Sequence, residues 1–375
     1  MSSDRQPPPG QAHRRVLLVL GPSTGGIGVH VESLVRGLPS RGWQVQVLTT
    51  ARTAQHFDLG PDVLTPWPDH ESWSPGSLLA LRRSSHQVAC GADVVHAHGH
   101  QAGMLALTAV AGRSAHRRTV VSWHNATLGA AGRRGLVERW QVRYADLVTG
   151  ASQDLVDRAR ALGARRTMLA PVAAPSAGTW AGTRAAARER LVQELGLDPR
   201  LPVVLTVSRV AAQKNLPLLV EASAGLAADV PHHWLVVGDG DGDLTARLRA
   251  RIDETAAPVR LVGHRSDVPA LMAAADVFVL ASAWEARALV VQESMAAGLP
   301  VVAPDVGGLH DLLDGVGGLV RPGDLDQLVQ EVSVLLQDEE RHRAVARAGR
   351  ERFAALPTED DVLDLWDGTY RRLLS

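Results

Sequence analysis

The stretch Val203–Asn215, VVLTVSRVAAQKN, reads as a strand, a loop and the entry to a helix. Val203 to Val207 is an almost wholly aliphatic and β-branched run with no polar alternation, the pattern of a strand covered on both faces. Such a strand passing at once toward a helix belongs to a parallel sheet with crossover helices. Arg209 and Lys214 then stand where a strand's carboxyl end meets a helix amino end, the usual place for phosphate groups. Lys214 is the only lysine; the other 38 of the 39 basic residues are arginine. A compact ammonium is thus kept where the composition would otherwise spell arginine, which favours a point-charge role over a lone lysine on a solvated loop.

The same phrase recurs in both directions. Upstream, strand-like runs at Val16–Leu20, Gln44–Leu48, Val94–Ala97, Thr119–Trp123 and Leu147–Gly150 are separated by helical periodicity such as Val29 to Leu38. Downstream they continue at Trp234–Val237, Arg260–Val262, Val277–Leu280, Val301–Ala303 and Gly318–Val320. Alternation of this kind predicts an α/β fold with doubly wound parallel sheets. The Pro-, Gly-, Ser- and Ala-rich segment Pro171–Thr179 breaks the series and reads as a linker. The expected organisation is a disordered leader at residues 1–14, a Rossmann-like domain at 15–172 and a linker at 173–180. A second Rossmann-like domain follows at 181–357, and a terminal helix at 358–375, after Pro357, could cross back to the first domain. Two such domains would face each other across a cleft, the default ligand site of doubly wound sheets.

Composition narrows the function classes. A chain of 375 residues suits two domains at about 100–200 residues each. A formal net charge of −1 gives no global reason to expect nucleic acid, so none is expected as partner and any phosphate recognition must be local. A single cysteine, Cys90, excludes an intrachain disulfide and fits a reducing compartment. With no apolar run long enough to span a bilayer and an apolar run at Val16–Leu20 too short for a signal peptide, the expected location is cytoplasmic.

The most informative motif is Ser282–Ala303, SAWEARALVVQESMAAGLPVVA. Glu285 falls in a loop after a strand, and Ala288 to Ala297 has a helical pattern stopped by Gly298. Eight helical residues would part Glu285 and Glu293 by ~12 Å, too far for one shared acid/base pair but suited to two ends of an extended ligand. Free N–H groups of residues 286 to 289 would face an anion between them. An exposed acidic helix start is the plainer alternative.

Rival motifs are weaker. Gly21–Gly25, GPSTG, matches a nucleophile elbow but follows the first strand, with no upstream loop to complete an oxyanion hole. The Walker spacing from Gly21 to Gly26 ends in Ile27 where lysine is required. Asp239, Asp241 and Asp243 imitate a calcium loop, but Leu244 occupies its glycine position and Ala250 its bidentate glutamate position. His96, His98 and His100 would share one face of an extended strand, a conceivable zinc set that more often lines a polar edge. No metal site and no cofactor is expected.

Taken together, the motifs resemble those of the retaining, nucleotide-sugar-dependent glycosyltransferases of the GT-B fold that carry two glutamates with seven residues between them, the family 4 type. The resemblance runs through Gly25-Gly26-Ile27-Gly28, Asp93 to His98, Ser122-Trp123-His124, Ser208-Arg209 with Lys214, Gly238 and Gly240, Gly263 to Asp267, Glu285 with Glu293, Gly307-Gly308 and Pro322-Gly323-Asp324. It implies an amino-terminal acceptor-side domain and a carboxy-terminal nucleotide-sugar domain. By the same resemblance Arg209 and Lys214 neutralise the donor diphosphate, Glu285 reaches the transferred sugar and His124 stands near it. Glu293 holds the ribose hydroxyls, and Gly26, Gly263, Arg287, Ala288 and Leu289 complete the donor contacts. The implied reaction moves a hexosyl group to a hydroxyl acceptor, a glycan, a lipid-linked compound or a small molecule, with retention and without metal. A nucleotide-sugar hydrolase or epimerase of the same fold is the alternative.

The chain departs from the family pattern at Ala286 and Arg287, where glycine or serine and then a bulky apolar residue are usual, and at Ser294, where alanine is common. Arg287 could add a cation near the donor or point to solvent. His98, Trp67 and Trp73 are candidate acceptor contacts, the tryptophans lying in what reads as an irregular loop. The basic, partly amphipathic segment 133–143 could touch an anionic membrane, which would place the enzyme at the inner membrane face; a solvated helix face is the alternative.

Overall fold

A computed structural model of the chain describes residues 14–68, 81, 83, 85–110, 117–125, 133–174 and 180–375. Trp73, residues 1–13 of the expected leader and residues 175–179 of the linker lie outside the described residues, and Arg14, expected as the leader's last residue, opens the first strand. The chain divides into two compact units, Met1–Pro175 with Pro357–Ser375, and Ser176–Leu356.

Unit 1 is built on a seven-stranded parallel sheet: β1 (Arg14–Leu20), β2 (Trp43–Thr50), β3 (Val63–Trp67), β4 (Val94–His98), β5 (Arg118–Trp123), β6 (Leu147–Gly150) and β7 (Thr167–Leu169), in the order 3-2-1-4-5-6-7. The strand order reverses between β1 and β4, so the loops leaving those two strands diverge and leave a crevice at their carboxyl ends. Two strands, β3 and β7, were not among the sequence expectations. Both are sheet edges: β3 contains Pro66 and is half-exposed, and β7 has only three residues, none buried. An edge strand carries no continuous buried run, and proline is tolerated there because its missing N–H faces away from the ladder. Trp67 is accordingly not in an irregular loop. It closes β3, is 5% exposed and packs with Leu48, Val95 and Ala102, so its side chain is an anchor of the core.

The helix Glu359–Leu374 belongs to unit 1. It starts with a capping box in which Thr358 accepts from the Asp361 N–H and Asp361 accepts from the Thr358 N–H. Its apolar stripe, Val362, Leu363, Trp366, Tyr370 and Leu373, completes the core under β1, β2 and β4. Its polar edge is tied down by Arg41 to Asp364 at 2.7 Å and by the Trp43 indole N–H to Asp367 at 2.7 Å.

Unit 2 has a six-stranded parallel sheet: β8 (Val203–Val207), β9 (His233–Val237), β10 (Val259–Gly263), β11 (Val277–Val279), β12 (Val301–Pro304) and β13 (Gly318–Val320), in the order 10-9-8-11-12-13. All six were legible as apolar runs. β8 and β11 are wholly or almost wholly buried, as strands covered by helices on both faces must be. The strand order reverses between β8 and β11, which sets the loops carrying Lys214 and Glu285 side by side.

Candidate functional site

Three backbone devices hold the loops at the carboxyl ends of β8, β9, β11 and β12 together. The Ala283 N–H donates to the Gln213 carbonyl at 2.8 Å, and Gln213 Nε2 returns a bond to the Trp284 carbonyl at 2.7 Å. Gly308 N–H donates to the Glu285 carbonyl at 2.9 Å. At Gly307, with φ +52°, an added Cβ would lie 2.1 Å from that same carbonyl oxygen, so only glycine fits. On the other side Gly238, with φ +132°, lets β9 approach the Ser208 carbonyl, which would be 2.1 Å from a Cβ. Gln213 was not among the expected site residues; an amide one position before the lone lysine carries no sequence signal of its own.

Within this frame Lys214 Nζ lies 2.5 Å from Glu285 Oε1, with the two side chains 17% and 11% exposed. The sequence assigned them to different parts of a ligand; the structure pairs them to each other. Arg209, at the end of β8, is exposed and makes no ion pair among the described residues. Ala288 is the residue before the helix Leu289–Ala297 and offers no side-chain cap, so the amino-terminal N–H groups of that helix are open to an anion. Gly298, with φ +71°, ends the helix. Glu293 sits one turn into it, and burial raises its carboxyl above the usual range. Arg287 does not lie out in solvent: its Nε is buried without a partner among the described residues, and burial lowers the guanidinium, opposed by the charge of Asp311. Gly263 closes β10 with φ +72° and its carbonyl accepts from the Gly238 N–H at 2.8 Å.

The aspartates after β9 have a local task. Asp241 Oδ1 accepts from the Leu244 N–H at 3.0 Å and caps the helix Gly242–Thr255.

Unit 1 gathers a different set. The helix Gly26–Gly37, entered at Gly26, brings His30 to 5.5 Å from the His98 ring and 5.7 Å from the His124 ring, centre to centre. His98 Nδ1 is 3.2 Å from His124 Nε2, and His98 Nε2 is buried without a partner among the described residues. His96 uses both ring nitrogens, toward the Tyr370 hydroxyl at 2.6 Å and Ser122 Oγ at 2.7 Å. His100 turns away to Gln141 and the Asn125 carbonyl. The zinc reading of His96, His98 and His100 therefore fails: the strand ends at His98, and His100 opens a helix with a different direction. His30 was missed because its position on a helical pattern gave no hint that the fold would bring it to β4.

Burial lowers all four clustered histidines, His30 to about 4 and His124 to about 3, with His96 and His98 well below the ordinary value. A histidine whose folded pKa is depressed binds its proton in the unfolded chain first, so stability is lost as pH falls below about 6.5. For His30 the loss is about 2 kcal/mol by pH 5. The midpoint of thermal unfolding is expected to drop between pH 7 and pH 5, and to drop less in His30→Gln. Equal pH slopes in the two proteins would refute the assignment.

Comparisons with known proteins give the chain a family and a fold. Residues 24–171 match the model described as Glycosyltransferase Family 4, and residues 201–338 match Glycosyl transferases group 1. The D-inositol 3-phosphate glycosyltransferase of Xylanimonas cellulosilytica is 30% identical over 93% of this chain and 93% of its own. The chain belongs to glycosyltransferase family 4. Another relative, the N-acetyl-alpha-D-glucosaminyl L-malate synthase of Bacillus anthracis, is 25% identical over 94% of this chain and 95% of its own. Among solved structures, sucrose-phosphate synthase from Thermosynechococcus elongatus superposes with a TM-score of 0.81 at 23% identity, covering 96% of this chain and 99% of that one. Anabaena HepE in complex with UDP-glucose gives 0.80 at 24%, covering 95% and 99%. At those identities the likeness shows the fold, which is GT-B. The family 4 membership makes this chain a glycosyltransferase, and the loops at the carboxyl edge of its second sheet are where Lys214 and Glu285 meet.

Proposed function

We propose that this glycosyltransferase takes a sugar from a nucleoside-diphosphate sugar and transfers it to a hydroxyl with retention and without metal, unit 2 holding the donor and unit 1 the acceptor. The observation that carries the reading is the largely buried Lys214–Glu285 pair, held on the loops that also carry Arg209, which makes no ion pair among the described residues, and the uncapped helix start at Leu289. In the reaction the anomeric C–O bond breaks, its electron pair stays with the leaving diphosphate, and the acceptor oxygen forms the new bond on the same face. The acceptor proton goes to the leaving phosphate oxygen. Fixed cations and helix N–H groups facing that oxygen stabilise the growing charge at no reorganisation cost. Arg209 and Lys214 supply the cations, Ala288 and Leu289 the amides, and Arg287 a further positive group. Glu285 then faces the sugar, Glu293 the ribose, and Gly26 and Gly263 allow backbone approach. In unit 1, His124 and His98 offer neutral hydrogen-bonding atoms to the sugar and the acceptor. That HepE was captured with UDP-glucose supports a nucleotide-sugar donor.

The deciding experiment incubates the chain with UDP-, GDP- and ADP-sugars, with and without hydroxyl acceptors, and reads nucleotide release and the anomeric configuration of the glycoside. Inverted product would overturn retention; donor breakdown that ignores every acceptor would favour the hydrolase alternative. Glu293→Ala is expected chiefly to raise the donor KM about tenfold or more, since a ribose contact is equal in ground and transition states. A collapsed kcat with unchanged KM would remove Glu293 from that role. Activity is expected to survive EDTA, because protein cations meet the phosphate charge. Loss restored by one divalent ion would overturn the metal-independent reading.

A further inference from the structure

The two most exposed large apolar side chains among the described residues, Leu136 at 66% and Tyr144 at 62%, lie on one helix, Arg133–Tyr144. With Trp140 between them they fall at i, i+4 and i+8, one face of the helix, and the Trp140 and Tyr144 rings are 5.5 Å apart. Arg139 and Arg143, both exposed, border that row on the same side. The opposite face is the buried one: Glu138, Gln141 and Val142 are 1%, 0% and 2% exposed. The helix's single acid, Glu138, is turned inward and paired with Arg158 at 2.6 Å. The solvent side therefore presents leucine and aromatic rings flanked by positive charge alone.

We propose that this face docks on the surface of an anionic lipid bilayer. Charge complementarity selects that occupant. Arginine stems reach the phosphate layer while leucine, tryptophan and tyrosine enter the headgroup and acyl boundary, a division of labour typical of helices lying in the interface plane. A second copy of the chain fits worse, because a two-fold interface would set Arg139 and Arg143 against their own counterparts. Among the described residues no helix is long and apolar enough to cross a membrane, so the contact is peripheral.

The test is co-sedimentation of the full chain with phosphatidylglycerol–phosphatidylcholine vesicles and with pure phosphatidylcholine vesicles at low and high salt. Binding is expected to the anionic vesicles and to fall steeply with salt. Arg139→Gln and Arg143→Gln should each lower the partition coefficient about fivefold. Leu136→Ser with Tyr144→Ser should lower it about tenfold or more. These side chains are solvent-facing, so the thermal midpoint of each variant should match wild type. No sedimentation of wild type with anionic vesicles at low salt would overturn the proposal. So would equal binding by the Leu136→Ser, Tyr144→Ser protein. A dimer in light scattering that those two substitutions dissolve would assign the face to self-association and equally overturn it.

Discussion

Lys214→Ala is expected to lower the turnover number roughly 100-fold or more, with a loss of stability that accompanies it. The ammonium is asked to do two things. In the resting site it neutralises a Glu285 carboxylate that is only 11% exposed, and in the transition state it meets charge growing on the leaving diphosphate. Its removal leaves a nearly buried carboxylate unpaired where negative charge must accumulate, so both effects act in the same direction. Arg209→Ala should cost a similar factor in turnover but leave the thermal midpoint unchanged, because Arg209 is exposed and makes no ion pair among the described residues. Lys214→Arg should recover little, since a planar guanidinium does not fit a 2.5 Å contact shaped for an ammonium. Steady-state kinetics beside thermal unfolding separates these cases. Turnover within threefold of wild type in both alanine variants would remove the phosphate assignment.

Gly307→Ala is expected to reduce kcat/KM by about 100-fold without touching any charged group. Its Cβ would meet the Glu285 carbonyl oxygen at 2.1 Å and Trp284 Nε1 at 2.9 Å, and its φ of +52° is a conformation that L side chains rarely adopt. The loop must retreat, and the Glu285 carboxylate moves with it. Gly315→Ala is the matched control: φ is +74° but a Cβ there meets nothing within 4 Å. It should lose about 1–2 kcal/mol of stability for the backbone conformation and keep its activity. Equal activity loss in the two variants would mean that left-handed strain, and not the approach to Glu285, is responsible.

How much of this was legible in advance follows from where each residue sits. The central strands were readable because a strand covered on both faces is an unbroken apolar run, as in Val203–Val207 and Val277–Leu280. β3 and β7 were not, because an edge strand needs no such run. Trp67 was read as a loop residue for the same reason. The motif around Glu285 and Glu293 placed a helix and its glycine stop almost to the residue, since helix ends are set locally by caps and by left-handed glycine.

By itself the sequence determined the alternation of strands and helices, the two units, the positions of Arg209, Lys214 and Glu285 after the carboxyl ends of strands and that of Glu293 inside the helix that follows, all consequences of short-range periodicity and end chemistry. Tertiary structure alone decided the partners. Lys214 meets Glu285 across 71 positions because the strand order reverses between β8 and β11, and His96 meets Tyr370 across 274 because the last helix packs on the first sheet. His30, His98 and His124 stay neutral below the ordinary histidine range only because burial removes the water that would hold their charge. Such pairings depend on the order and direction in which elements pack, which hydrophobic periodicity along the chain does not encode.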